Sequence, residues 1–576
     1  MEFLRWCSLW CLLGSALLPA QRPPDAADTS ALVASAIRAW VDDYERGRLA
    51  PGGVLRSGAG LQPAYVAYAR RAGFVGARDE DRLSHLDVLQ KLLVHAEREP
   101  TTDVADALLA LAATGLEGAF LDHEALRLRD LGWFALLRTE HRGAWYLILR
   151  AAAGERVPLF GGDEAEPEPA ENGVAVGPAR RVAALRLCGQ RGLPVFRSTI
   201  ENALFDEDPR VRLGAVEALD LRRGVESLPN VLRALEGERH VVVSQALVRL
   251  VLVLLRSDPP PPPDVRDAAL RAALQRMGEA GWRTDMDLLE LVAAFPRKDA
   301  IPSVLKALEL AKKPPDRLVQ AVNEQASPLL GQRAGELLRA MTGALLPLDD
   351  LGAWRTFWQQ EQDRIVVPER LAPERPEATR AQFFGVPVTG RAVLFVIDTS
   401  GSMDELANAT ETDDGRRRRS RKAPTRLRLA MEQVVEAVQA MPATSTFEIV
   451  TFAGEAKRWT GAAVKSGARN LRSLTELTSR WRAHGGTNLH AGLAEALGFE
   501  RQRFGEQRFE VDEVFLLSDG EPTAGPVQEP EELLRLVREA NRYAHVRVHT
   551  VFAGSGPGAE LLRQLAEQNG GVFVQR

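Results

Sequence analysis

Two acidic and three hydroxyl-bearing side chains in this chain are of a type and placement that could do chemistry together. Asp398, Ser400 and Ser402 fall in Asp398-Thr399-Ser400-Gly401-Ser402-Met403, Thr487 follows Gly485-Gly486, and Asp519 lies in Ser518-Asp519-Gly520-Glu521-Pro522-Thr523. All five offer hard oxygen donors, and no histidine or cysteine converges with them. Oxygen-only coordination suits Mg²⁺, Mn²⁺ or Ca²⁺ and disfavours Zn²⁺. Gly401, Gly485 and Gly520 let the backbone turn sharply beneath an ion.

The same residues are poorly suited to bond-breaking. Asp398 superficially suggests a phosphohydrolase of the haloacid dehalogenase type, but that chemistry needs a second carboxylate two residues on, where Ser400 stands. The nine histidines form no zinc signature, since neither His85…His95 nor Asp122-His123-Glu124 matches HExxH. Ser400 and Ser402 have no histidine at a spacing that would activate a nucleophile. His484 and His490 flank Thr487 and read as a loop residue and a helix-face residue. No catalytic residue and no organic-cofactor site is assigned, so the expectation is a protein that is not an enzyme.

These residues need a frame to bring them together, and one is legible from about residue 390 onward. Ala392 to Ile397 (AVLFVI) is an unbroken apolar run of strand length, as a strand buried on both faces requires. An amphipathic helix (LRLAMEQVVEAVQAM), a strand (FEIVTFAG), a helix (TNLHAGLAEALGF) and a strand (EVFLLS) follow. A helix (ELLRLVREANRYA), a strand (VRVHTVFAG), a helix (ELLRQLAEQNG) and a closing VFV complete the series. Alternating strands and helices predict an α/β, doubly wound, Rossmann-like parallel sheet over 389–576. Ligands in such folds bind beyond the carboxyl ends of central strands, which is where the residues after AVLFVI and EVFLLS emerge.

With that rhythm in place, Asp398-x-Ser400-x-Ser402 followed by Thr487 and Asp519 resembles the metal-ion-dependent adhesion site (MIDAS) of von Willebrand factor type A domains. The resemblance implies that Ser400 and Ser402 coordinate the ion directly, and that Thr487 does so directly or through water. Asp398 and Asp519 act mainly through bound waters and hydrogen bonds. A largely neutral coordination shell leaves the ion much of its charge, so an open position favours an Asp or Glu carboxylate from a protein partner. The alternative is a site that only knits three loops together. The chain departs from a minimal domain of this kind at residues 404–428, where the basic run Arg416 to Lys422 reads as a solvated surface insertion, or as a steering patch for acidic partners.

Upstream, residues 25–360 repeat amphipathic segments at helical spacing, such as SALVASAIRAWVDDY, SHLDVLQKLLVHAE, VADALLALAATG, DLGWFALLRTEHRGAWYLILRAA and DMDLLELVAAF. This region is expected to be all α. Asp208 and Pro209 open one helix as cap and first residue, with Val211, Ala215 and Leu219 as its inward stripe and Arg212 beside it. That unit aligns loosely with the next, EGERHVVVSQALVRLVLVLL, and the pair resembles HEAT-type repeats, which implies an α-solenoid scaffold. An irregular helical domain is the alternative. An acidic stretch at 161–178 reads as a flexible loop, DPPPPPD at 258–264 as a stiff polyproline connection, and 361–388 as an extended linker. Trp354 and Trp358, four apart, read as one face of a closing helix.

Composition bounds the remaining possibilities. The 576 residues carry a formal net charge of −5, 45% hydrophobic and 26% charged side chains, which fits folded domains and not a disordered polyelectrolyte. Acidic and basic groups are near balance in the helical region, which lacks the basic excess expected of a nucleic-acid binder. An RNA-binding protein like those of the Ro family, which join a helical ring to a similar domain, stays open as an alternative. Three cysteines, Cys7, Cys11 and Cys188, exclude a disulfide scaffold. Arg5, the apolar run Trp6 to Leu18, and Ala16 and Ala20 read as a signal peptide over residues 1–20, or as an uncleaved signal anchor. Export follows, to the periplasm, the medium or the cell surface, with no further membrane span expected.

Overall fold

The computed structural model describes residues 26–50, 54–55, 62–71, 92–94, 96, 101–155, 176–312, 327–372, 381–407, 424–506, 511–554 and 556–576. The signal peptide, His85 and His95, most of the acidic stretch at 161–178, and the basic run Arg416 to Lys422 lie outside the described residues. The described part of the first 361 residues is mostly helical, and it is followed by an α/β sheet domain with mostly parallel strands.

In the helical part, sequence rules set the helix ends. Asp208 caps the helix Pro209–Arg222 by accepting from Arg210 N, with Pro209 at the first position, where a missing N–H costs nothing. Val211, Ala215 and Leu219 are buried as expected, and Arg212 clamps Glu238 with two bonds of 2.7 and 2.9 Å. The next-but-one helix, Val241–Leu255, packs against Pro209–Arg222. Cys188 is a buried thiol, pushed up to about 12 by burial. The indole of Trp354 is buried and donates to Pro347 O at 2.9 Å, while Trp358 stays half exposed.

Several expectations need correction. Residues 130–152, read as one segment, form parts of two helices, His123–Arg138 and Arg142–Ala153; the chain is extended at Thr139, and the His141 imidazole caps the second helix through Ala144 N. The region is not purely helical, because β1 (Leu49–Ala50) and β2 (Val54–Leu55) pair antiparallel; two residues are too few to show a strand period. The proline run 259–262 is non-helical but Pro263 already begins the helix Pro263–Leu274. The extended linker ends early. β3 (Gln382–Phe383) and β4 (Val386–Pro387) pair with each other, and the fully buried Phe383 packs edge-on to Phe395 and Phe515.

The main sheet has the order β11-β10-β9-β5-β6-β7, built from β5 (Ala392–Asp398), β6 (Thr446–Phe452), β7 (Ala456–Arg458), β9 (Glu513–Ser518), β10 (Arg547–Phe552) and β11 (Phe573–Gln575). β5 is central, parallel to β6 on one side and to β9 on the other. The expected all-parallel sheet holds except at one edge, where β7 and the two-residue β8 (Val464–Lys465) run antiparallel to β6. The connection from β6 to β7 is too short for a crossover, which fixes that direction. Alternate residues of β5 serve two cores. Val393, Phe395 and Ile397 meet Leu427, Ala430, Val434 and Leu474 from the helices Arg426–Ala440 and Ala468–Thr478. Leu394 and Val396 meet Leu489, Leu493, Leu533 and Leu562 from the helices Leu489–Leu497, Pro530–Asn541 and Gly558–Gln568. The helix Ala468–Thr478 carries little sequence signal, because Leu471, Leu474 and Leu477 are its only large apolar residues.

The second of these cores is continuous with the apolar core of the helical region. Polar ties reinforce the junction. Arg283, buried in the helix Trp282–Ala294, donates to Ala544 O at 2.5 Å and stacks over Trp282. Ser327 Oγ donates to Asp512 at 2.8 Å, and Arg542 pairs with Asp220 at 3.1 Å. These three ties lie just before β9 and β10 and at the end of Pro530–Asn541, whereas the oxygen donors lie at the carboxyl ends of β5 and β9.

One close approach within the helical region can be tested. The helices Pro178–Arg191 and Pro209–Arg222 cross at Gly189, where a Cβ would lie 2.3 Å from Ala218 O and 2.7 Å from its Cα. Both neighbours are backbone, so an added methyl forces the helices apart. Gly189→Ala is expected to lower stability by about 1–3 kcal/mol, read as a drop in the denaturation midpoint; an unchanged midpoint would contradict this packing.

Candidate metal centre

The register of the sheet brings the site together. Ile397 of β5 lies opposite Leu517 of β9, so Asp398 and Ser518 leave the sheet side by side at their carboxyl ends. Asp398 is fully buried. Its Oδ1 accepts from Ser400 N at 2.8 Å and its Oδ2 from Ser518 Oγ at 2.5 Å. These bonds orient the carboxylate and fold the chain after β5 back over the strand end.

From there the oxygens form a connected set. Ser400 Oγ and Ser402 Oγ are 3.1 Å apart, and Ser402 Oγ donates to Asp519 Oδ1 at 2.7 Å. The third segment is tied in by its backbone. Gly401 N donates to Gly485 O at 3.0 Å, and His484 N donates to Thr399 O at 2.8 Å. Thr487 N donates to Thr523 Oγ1, and Thr523 N returns a bond to Thr487 O, each at 2.9 Å. A Cβ on Gly520 would lie 3.8 Å from Thr487 Oγ1, so that hydroxyl faces the turn directly after Asp519. Gly485 has φ +73°, a conformation that favours glycine. Asn488 then caps the helix Leu489–Leu497 through Ala491 N. The structure thus brings Asp398, Ser400, Ser402 and Asp519 into one hydrogen-bonded group and seats Thr487 against the turn that follows Asp519.

Burial raises the Asp398 carboxyl to about 6, opposed by hydrogen bonds from Ser518 and Ser400 and assisted by the negative charge of Asp519. Two buried carboxylates beside the hydroxyls of Ser400, Thr487 and the exposed Ser402 fit a hard cation, which would relieve the cost of charging Asp398. Among the described residues no three His, Cys, Asp or Glu side chains gather as a ligand cluster; the donors here are two carboxylates supplemented by hydroxyls. His484 is an exposed loop residue and His490 lies half-buried on the following helix; among the described residues neither is hydrogen-bonded to the serine hydroxyls.

Residues beyond the five also shape the site. Ser518 holds Asp398, and Thr523 holds Thr487; both lie inside the stretch read from the sequence without a role of their own. Arg426 falls in the stretch 404–428, whose charged run reads as a solvated insertion. Its Nη1 donates to Asp519 Oδ2 at 2.8 Å, and its Nη2 lies 3.2 Å from Glu405. The signal that locates it is Thr425, whose hydroxyl caps the helix Arg426–Ala440 and so starts that helix at the oxygen face.

Residues 416–574 match the family model described as the von Willebrand factor type A domain. Thr487 and Asp519 fall within this match; Asp398, Ser400 and Ser402 precede it. The mouse (Mus musculus) inter alpha-trypsin inhibitor, heavy chain 4, is 27% identical over 190 residues, which are 32% of this chain and 18% of that protein. The chain therefore spans less than a fifth of the curated relative it matches. Among solved structures, a von Willebrand factor type A protein from Catenulispora acidiphila is 21% identical with a TM-score of 0.24, covering 32% of this chain and 38% of that one. The PilB minor pilin from Streptococcus sanguinis is 16% identical with a TM-score of 0.24, covering 33% and 58%. An aerotolerance-related membrane protein from Bacteroides fragilis is 15% identical with a TM-score of 0.23, covering 32% and 90%.

The raised Asp398 carboxyl has a measurable consequence in chelator-treated protein. Its folded value lies above the unfolded one, so it favours folding at low pH, and that contribution is lost as pH rises through about 6. Asp398→Asn is expected to be more stable than wild type at pH 7.5, by about 2–3 kcal/mol at most, with the difference vanishing below about pH 4. Parallel denaturation curves at all pH values would contradict the burial argument.

Proposed function

We propose that this chain is a non-catalytic, divalent-metal-dependent protein-binding protein. In this reading an exported, HEAT-like helical scaffold carries a von Willebrand factor type A domain, and the oxygen set at its sheet edge holds Mg²⁺, Mn²⁺ or Ca²⁺ and captures an acidic residue of a partner. The observation that carries it is the linked group Ser400, Ser402 and Asp519 beside the buried Asp398, at the carboxyl ends of two adjacent central strands. Ser400, Ser402 and Thr487 would supply neutral donors, and Asp398 and Asp519 would orient them and bound waters. The ion supplies positive charge that a neutral shell leaves largely unspent. The chain's own contribution is a fixed cradle: the Asp398 bonds to Ser400 N and Ser518 hold the first loop, and the Thr487–Thr523 pair holds the second to the third.

Support for a non-catalytic role comes from the serine partners. Ser400 and Ser402 bond each other and Ser402 donates to Asp519, with no histidine among their partners in the described residues, an arrangement suited to holding a ligand rather than to activating a nucleophile. Support for export is the apolar run Trp6 to Leu18 behind Arg5; among the described residues no helix is long and apolar enough to cross a membrane.

Titration of purified protein with Mn²⁺, followed by electron paramagnetic resonance, is expected to show one bound ion, with affinity reduced at least about tenfold in Asp398→Ala and Thr487→Ala. Affinity capture from the native source should then yield a protein partner with Mg²⁺ present and lose it with chelator and with Asp398→Ala. An identical set of bound proteins under all three conditions would sink metal-mediated capture.

A further inference from the structure

Asp519 already has a cation. Its side chain is fully buried, with Oδ1 bonded to Ser402 and Oδ2 bonded to Arg426 Nη1 at 2.8 Å. Arg426 is held at this place from two sides. It is the first residue of the helix Arg426–Ala440, behind the Thr425 cap, and its N–H donates to Glu405 O at 2.9 Å. An antiparallel bridge between Leu406 and Thr425, with Ala407 N donating to Pro424 O, clasps the two chain segments at the base of this arrangement. The guanidinium therefore cannot drift far, but it has two carboxylates within reach: the buried Asp519 and the half-exposed Glu405, 3.2 Å from Nη2.

We propose that Arg426 is a tethered cation that competes with the divalent ion for Asp519, and that Glu405 is the alternative partner to which it moves when the ion binds. The inference rests on the metal-binding reading above and adds to it a determinant of affinity in this chain. The physics is charge competition. A divalent ion among Ser400, Ser402 and Asp519 and a guanidinium on the same carboxylate repel each other strongly where water is scarce. Asp519 can remain shared only at a cost to both. Glu405 offers the guanidinium a carboxylate more exposed than Asp519, and the backbone bond between Arg426 and Glu405 would keep the two adjacent during the exchange. Arg426 thus keeps the buried Asp519 neutralised when no ion is bound, and sets the ion concentration at which the site fills.

The two residues should act in opposite directions, which a merely structural role would not produce. Mn²⁺ affinity, read by electron paramagnetic resonance on the full chain, is expected to rise about tenfold or more in Arg426→Gln, to stay near wild type in Arg426→Lys, and to fall several-fold in Glu405→Gln. In chelator, Arg426→Gln should melt at a lower temperature than wild type, and saturating Mn²⁺ should raise its melting point by more than it raises that of wild type. Equal or weaker Mn²⁺ binding by a folded Arg426→Gln, in a wild type that does bind, overturns the competition while leaving the metal site intact. No Mn²⁺ binding by either protein overturns both the competition and the reading on which it rests. Unchanged affinity in Glu405→Gln removes the alternative partner and with it the exchange.

Discussion

The constraint on which the rest depends is that β5 has no free side. Both of its edges are paired with parallel strands, and both of its faces are covered by helices, so all seven residues from Ala392 to Asp398 are buried. A strand held in this way fixes the position of its last residue. Asp398 therefore reaches the end of the sheet as a carboxylate out of water, which the backbone of Ser400 and the hydroxyl of Ser518 must satisfy. Those two bonds in turn dictate how the chain turns after β5, and hence where Ser400 and Ser402 stand.

The helical region and the sheet domain depend on each other through a shared apolar core. Leu394 and Val396 belong to the same continuous packing as Leu288, Leu289 and Leu250. Three buried charges at the junction have close partners: Arg283 donates to the carbonyl oxygens of Ala544 and Val511, Glu217 lies beside Arg542 and Tyr543, and Asp512 accepts from Ser327 and the amides of Arg391 and Ala392. Removing one partner at such a place leaves a buried polar group unsatisfied, which makes this junction costly to open.

Much of the fold could be read from the residues because burial on two faces leaves an unmistakable run. AVLFVI and EVFLLS announce the central strands, and Asp208-Pro209 announces a helix start. The legible part of the site was its donor chemistry: Asp398, Ser400, Ser402 and Asp519 meet, and Thr487 faces the same turn. The less legible parts share a cause, which is that short or polar elements carry little periodic signal. β3 and β4 have two residues each and owe their place to Phe383 packing on Phe395 and on the sequence-distant Phe515. Arg426 looked like one more arginine in a charged stretch, and only its meeting with Asp519, far along the chain, distinguishes it. The break between the two helices falls in the run Arg138 to Gly143, which holds no apolar side chain, and its cap is an imidazole, a weaker sign of a helix start than Ser, Thr, Asp or Asn.

The two ends of β9 meet different parts of the structure. Asp512, just before the strand, is bound to the helical region through Ser327, and Asp519, just after it, belongs to the oxygen face. The six residues between them span about 20 Å of extended chain at ~3.3 Å per residue. Tension applied at one end and resisted at the other runs lengthwise along parallel strands, so the ladder bonds on both sides of β9 are sheared together instead of being unzipped one at a time. A strand anchored this way resists lengthwise pulling better than one at a sheet edge.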